Sequence, residues 1–305
     1  MSTIKIATII CWIITAVVLI GLVIWFLTGS IFGAWNDGMG NWGIGFNSME
    51  SLTGPFDAEG TYSVGTASVD SIKIDWVAGD VTIKPHDGND FHFTEYAQRE
   101  LRDNEKLRYS ISGNTLEIRY TERSIRGRMP RKHLELLVPR ELSENMHSLS
   151  IGTVSGGVNV NDISASILNC EAVSGDLRLS GTFNDVDINS ISGRITLENA
   201  AKNTVLNVES VSGRMDLSGD FQRVDVDTVS GSVTVTSTVT PSSFNANSVS
   251  GDFAIIIPAE ASISVNHSSV SGRLSSDIPV TMESRGAQFE ISTVSGSTNI
   301  HALDS

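Results

Sequence analysis

The chain has 305 residues, enough for one large domain plus an anchor, and carries a net charge of −14. That charge argues against nucleic acid as a partner. Two cysteines, Cys11 in an apolar run and Cys170 at an inward repeat position, offer no disulfide framework.

Residues 1–5 hold one lysine and read as a cytoplasmic N-terminus. Residues 6–27 carry no charged side chain. At 1.5 Å rise per residue, about 20 apolar residues cross a bilayer, so residues 6–28 are predicted to form a retained transmembrane anchor. A cleaved leader has an apolar core of roughly 7–15 residues, shorter than this one. Lys5 precedes the run and Asp37, Glu50, Asp57 and Glu59 follow it, which puts the bulk of the chain outside the cytoplasm. Residues 29–66 contain nine glycines and little periodicity and read as a linker. Phe32 and Trp35 fit an interfacial aromatic belt.

Residues 67–148 read as a first coil followed by a hairpin-rich portion. Ile72, Ile74, Trp76, Val81 and Ile83 alternate around Gly79. Leu107, Tyr109 and Ile111 alternate up to Gly113-Asn114, and Leu116, Ile118 and Tyr120 alternate away from it, which predicts a hairpin. Residues 119–140 concentrate seven basic side chains against two acidic ones. Arg123, Arg126, Arg128, Arg131 and Lys132 are the candidate contact for an anionic surface, either lipid head groups or a wall polymer. A solvated loop is the plain alternative.

Residues 149–305 are organised by a recurring Val-Ser-Gly or Ile-Ser-Gly. Its glycines are Gly156, Gly175, Gly193, Gly213, Gly231, Gly251, Gly272 and Gly296, spaced by 19, 18, 20, 18, 20, 21 and 24 residues. A period near 20 marks a stacked array. Apolar residues stand seven and five positions before most of these glycines, and two and four after. A small Ser, Thr or Ala stands three before each. Period 2 on both sides means two short strands per repeat, each with one buried face. The parity slips between the small residue and the β-branched one, as a corner requires; glycine supplies backbone freedom there and serine can hydrogen-bond its own turn. The predicted fold is therefore all-β: a single-stranded, parallel β-helix-like β-solenoid of about 20 residues per coil, preceded by one transmembrane helix. Eight coils at about 4.8 Å give a rod on the order of 40 Å long. Trp76 with the hairpins would cap one end, and residues 301–305 the other.

The run 72–83, the hairpin around Gly113, the strand Leu134-Glu135-Leu136-Leu137-Val138-Pro139 and the tandem Val-Ser-Gly-Asp coils resemble the bacterial "putative adhesin" domain of unknown function, a family that includes the Lia-type cell-envelope stress proteins. The resemblance covers residues 67–301. It implies a β-solenoid at the cell envelope and brings no catalytic residues. Arg194, Arg214 and Arg273 stand where the family pattern has Asp, beside Asp176 and Asp252, which argues against a continuous acidic ladder.

Catalytic signals are absent from the sequence. Glycoside cleavage needs two convergent carboxylates, and Asp185, Asp187, Asp225 and Asp227 read as an outward strand face. The six histidines lack metal-ligand spacing, and His267 reads as an edge substitution in a coil. No serine sits in a Gly-x-Ser-x-Gly elbow. No cofactor or metal is expected. The resulting expectation is a non-catalytic single-pass protein of the cell membrane whose extracytoplasmic solenoid binds or organises envelope components. Its partners are the membrane itself and an anionic lipid, a wall polymer or another envelope protein. A self-assembling scaffold is the alternative, and a carbohydrate-active β-helix enzyme a remote one. Oligomeric state is left open.

Overall fold

The computed structural model describes residues 56–66, 68–121, 129–281 and 286–303. The apolar run 6–28 and most of the linker lie outside these residues. Among the described residues, no helix is long and apolar enough to cross a membrane. The chain divides after Gly181 into two compact units.

In the first unit, β2 (Ser71–Ala78) and β3 (Val81–His86) are the two sides of one coil. β8 (Met146–Ser155) and the start of β9 (Val158–Ser174) make the next. Ile72 pairs with Leu149, Ile74 with Ile151, Val81 with Val158 and Ile83 with Val160, all parallel. Leu149 and Ile151 pair in turn with Leu168 and Cys170 on β9. These rows are the predicted columns, and their members are buried. Each fully buried Leu, Ile or Val contributes roughly 1.5–3 kcal/mol, which no coil can collect alone.

The coil of β2 and β3 is not the outermost one. On its other side lie β6 (Thr115–Arg119) and β7 (Lys132–Pro139), which pair in parallel with β2 and β3. They form a further coil, with Tyr120 following β6 and Lys132 opening β7 where other coils have a Val-Ser-Gly corner. Trp76 fills the space beside these two residues. It occupies a small-residue position, yet it is fully buried, packs edge-on against Tyr120 at 5.0 Å and donates from Nε1 to the Lys132 carbonyl at 2.9 Å. Trp76 therefore fills an interior gap and does not cap an end. Antiparallel strands finish this coil. β5 (Arg108–Ser112) lies on β6, β4 (Asp90–Ala97) on β7, and β1 (Asp57–Gly65) on β4. β1 falls inside the stretch read as linker. It carries Asp57, Glu59 and a register shift between Ala58 and Gly60, features that discourage edge pairing. The predicted hairpin is β5–β6.

The second unit begins within β10 (Leu177–Ser192). Its first-strand sheet contains β12 (Thr204–Ser212), β14 (Phe221–Ser230) and β16 (Ser243–Ser250). Its second-strand sheet contains β11 (Ile195–Asn199), β13 (Met215–Gly219), β15 (Val233–Ser237) and β17 (Phe253–Pro258). Up to this point the coils stack in chain order. One inward row is Val186, Leu206, Val224 and Phe244, and another is Ile195, Met215, Val233 and Phe253.

The order then inverts. β18 (Ile263–Ser271) and β19 (Leu274–Ser276) come next in the chain, followed by the two-residue β20 (Val280–Thr281), β21 (Ala287–Ser295) and β22 (Thr298–Leu303). It is β21 that pairs with β16, and β18 pairs with the far side of β21. Phe244 and Phe289 stack with ring centroids 5.1 Å apart. The coil of β21 and β22 is thus interior and the coil of residues 263–276 is outermost, so residues 301–303, expected to cap the end, belong to an interior strand paired with β17. His267 belongs to this outermost coil, opposite Ile291.

Candidate binding groove at the coil corners

The corners are built from side chains with separate tasks. The small residue three before the glycine closes its own corner. Ser190 Oγ donates to the Ser192 carbonyl, Ser210 Oγ to that of Ser212 and Thr228 Oγ1 to that of Ser230, at 3.3–3.4 Å. The corner serine reaches the neighbouring coil. Ser174 Oγ donates to the Val154 carbonyl at 3.2 Å, Ser212 to Ile191 at 3.3 Å and Ser230 to Val211 at 3.4 Å. The expected bond within the serine's own turn is therefore a bond between coils, because the adjacent corner carbonyl lies one strand spacing away.

The glycines form columns in which backbones touch. A Cβ on Gly213 would overlap the Gly193 carbonyl oxygen, and the same clash arises at Gly231 against Gly213, Gly251 against Gly231, Gly296 against Gly251 and Gly272 against Gly296. In the first unit the clashes are Gly156 against Gly79 and Gly175 against Gly156. Gly213 also has φ of +143°, which side chains rarely adopt. Seven of the eight predicted corner glycines have no room for a Cβ, and the eighth, Gly193, has φ of +125°.

Where aspartate follows the corner glycine, its carboxylate ties the next coil. Asp80 Oδ1 accepts from Gly157 N and Asp252 Oδ1 from Ser297 N, both at 2.8 Å. Asp80 N donates to His133 Nδ1 at 2.9 Å, and the Asp80 carboxylate lies 3.4 Å from the same nitrogen. Burial lowers the His133 pKa, opposed by Asp80 and helped by Arg131.

In the first unit this corner line opens into a groove of about 590 Å³. Such a volume lies within the small-ligand range. Gly156-Gly157, the chain's one double glycine, forms part of its lining. A Cβ on Gly157 would stand 3.2 Å from the Asp176 carbonyl oxygen and 3.5 Å from Asp80 Oδ1. Arg131 and Arg178 line the same groove, half exposed at 52% and 58%. Arg178 pairs with Asp176 at 3.0 Å, while Arg131 stands 4.0 Å from Asp80. Asn159 and Thr82 complete the polar lining. Guanidinium groups there can hold phosphate or carboxylate, and the aspartates can accept from hydroxyls. A second corner groove, in the other unit, is lined by Ser232, Ser250, Ser271, Ser295, Ser297 and Asp252, with no cation.

The predicted basic cluster is divided by the structure. Arg123, Arg126 and Arg128 lie outside the described residues. Arg131 is on the groove. Lys132 is fully buried and cannot meet an external surface. Its ammonium pairs with Glu95 at 3.0 Å and donates to the Glu105 and Tyr120 carbonyls at 2.6 Å. It also lies 4.1 Å from the Tyr120 ring centroid. Burial pulls its pKa down to about 8, against the pull of Glu95. Lys132 points inward because it begins β7, whose alternate residues Leu134 and Leu136 face the core. Sequence reasoning missed Asp80, Asn159, Asp176 and Arg178. Their signal was the doubled glycine between two coils that each follow the corner with aspartate.

The outward carboxylates form a ladder with amides. Asn189 donates to Asp187 at 2.7 Å, Asn245 to Asp225 at 2.5 Å and Asn247 to Asp227 at 2.8 Å. Partial burial raises the Asp187, Glu209 and Asp227 pKa values, with Asp227 and Asp187 adding to the rise at Glu209. Cys170 is sealed in the core and its thiol is pushed up to about 12 by burial. Among the described residues, no group of three or more His, Cys, Asp or Glu could hold a metal ion.

Residues 69–303 match the family described as Toastrack DUF4097. A Bacteroides fragilis protein named "putative adhesin" has a similar fold, with a TM-score of 0.51 at 15% identity, covering 80% of this chain and 96% of its own. Two Parabacteroides distasonis structures are more loosely similar. One is named "putative adhesin", with a TM-score of 0.46, 12% identity and coverage of 79% and 96%. The other is named "Putative lipid binding protein", with a TM-score of 0.45, 14% identity and coverage of 80% and 96%. No curated protein matches the chain.

Proposed function

We propose, from the premise that this chain belongs to the Toastrack DUF4097 family, that it is a non-catalytic binding module of the cell envelope. Residues 6–28 anchor it in the membrane, with residues 1–5 cytoplasmic and the coils outside. Its groove in the first unit takes a phosphate- or carboxylate-bearing, hydroxyl-rich ligand. The observation that carries this reading is the Gly157 opening, bracketed by Asp80 and Asp176 with Arg131 and Arg178 on its lining. These four side chains sum to zero charge in a chain of −14, so an anionic polymer is repelled less there than elsewhere. Arg123, Arg126 and Arg128 precede Arg131 closely in sequence and extend the attraction.

The test is co-sedimentation of the chain from residue 56 onward with insoluble anionic wall polymer and, separately, with anionic lipid vesicles. Binding should fall with salt, since each exposed cation near an anionic surface is worth about 1 kcal/mol, screened within a Debye length. Arg131→Ser with Arg178→Ser should weaken it at an unchanged melting temperature. Pelleting with polymer alone identifies a wall ligand, and with vesicles alone a lipid head group. Binding that survives both the substitutions and high salt refutes the groove.

A further inference from the structure

We propose that the outermost coil of the second unit, residues 263–276, is a docking edge for a second copy of this chain, joined by antiparallel pairing of β18 with β18 of the partner. The inner side of β18 is fully paired with β21. On the outer side, β20 pairs with Ile263 and Ser264 only. From Val265 to Ser271, no strand of the described residues covers that side. An open row of backbone N–H and C=O groups is a template for another strand.

Three observations favour an identical chain as the occupant. The first is charge. Residues 261–281 hold one arginine, Arg273, and one aspartate, Asp277, in a chain of −14, so two copies meet there without repulsion. The second is the absence of edge protection. Residues 265–271 contain no charged residue and no proline, and β18 keeps its register with β21 from Ile263 to Ser269 without a shift. The finished coil of the first unit contrasts with it: there the chain supplies its own antiparallel strands, and β1 carries acidic residues and a register shift. The third is incomplete packing. Val270 is 51% exposed and Val280 40%, and the buried Nε2 of His267 has no hydrogen-bond partner. Buried polar atoms in native structures are nearly always satisfied.

Pairing centred on Ser268 sets Asn266 against Val270 of the partner subunit, and His267 against Ser269 of the partner subunit, whose hydroxyl lies on the inward side. Such an interface is isologous: each copy offers the same edge, that of β18, and the pair closes. A dimer results, and no fibre follows. This inference is independent of the groove, which lies in the first unit.

The test uses the full-length chain in detergent micelles with Cys11→Ser, leaving only the sealed Cys170. Its molar mass should be that of a dimer and stay constant with concentration. Ser268→Lys should weaken dimerisation at least tenfold at an unchanged melting temperature, because like charges then oppose each other. An equimolar mixture with Ser268→Glu should restore it. Ser292→Lys, on the next coil inward, should leave the dimer intact. Mild oxidation of Ser268→Cys should give a disulfide-linked dimer, and of Asn247→Cys none. A monomer, a mass that grows with concentration, or a dimer indifferent to Ser268→Lys would each overturn the proposal.

Discussion

Replacing Gly213 with alanine tests the corner architecture most sharply. The new Cβ would overlap the Gly193 carbonyl oxygen. Neither backbone can rotate away, because each is held in a parallel ladder: Ser210 pairs with Ser190 and with Thr228, and Met215 with Ile195 and Val233. The coils must part locally, breaking on the order of two ladder bonds at about 1 kcal/mol each. The φ of +143° adds a strain of about 1–3 kcal/mol for a residue with a side chain. The expected loss is therefore about 3–5 kcal/mol. Ser212→Ala, one residue away, removes only the 3.3 Å bond to the Ile191 carbonyl and should cost about 1 kcal/mol. Urea denaturation of the chain from residue 56 onward, followed by circular dichroism, compares the two in the same unit. Equal midpoints for the two variants would mean that the glycine column does not set the coil spacing.

Lys132→Met should destabilise the first unit by about 3–5 kcal/mol, since it strands the fully buried Glu95 carboxylate, and adding Glu95→Gln should recover part of the loss in thermal melts. Gly157→Val should abolish polymer binding in the pelleting assay and lower the melting temperature less than Gly213→Ala does, because its Cβ meets the Asp176 carbonyl oxygen at a tight 3.2 Å but does not overlap it. The ladder carboxyls Asp187, Glu209 and Asp227 have raised pKa values in the folded state, so their contribution is fully present below their ordinary values and is lost as pH rises through the raised ones. Asp227→Asn should therefore stabilise the second unit at pH 7 and make no difference near pH 3; a variant that is destabilised at pH 7 would contradict the burial argument.

The columns of the fold were legible because burial imposes a strict alternation on each side of a fixed glycine. Val186, Leu206, Val224 and Phe244 fall in one row by counting alone, and the register agrees. Coil order was not legible, because one Val-Ser-Gly corner fits any other equally well. Yet a trace existed. His267 and Ser276 break the apolar rows, and polar breaks are tolerable where a coil has a neighbour on one side only. Those two residues marked the outermost coil while its position in the chain suggested an inner one. The candidate site was half legible for a similar reason. Clustering of charge said nothing about direction, and Lys132 follows Arg131 with the opposite orientation, as alternate residues of a strand must.

The inverted order near the C-terminus has a consequence for how the protein is made. Residues 286–303 occupy a slot between two coils that leave the ribosome before them. Synthesis runs from the N-terminus, and early segments tend to fold as they emerge. The coil of residues 263–276 therefore has only the two-residue β20 as a native strand neighbour until β21 and β22 have emerged. If it docks early on β16, the wrong surface is occupied and must be vacated before Phe289 can stack on Phe244. Completion of the second unit thus waits for residues 286–303, and a chain cut before residue 286 leaves β18 paired only with β20, at Ile263 and Ser264.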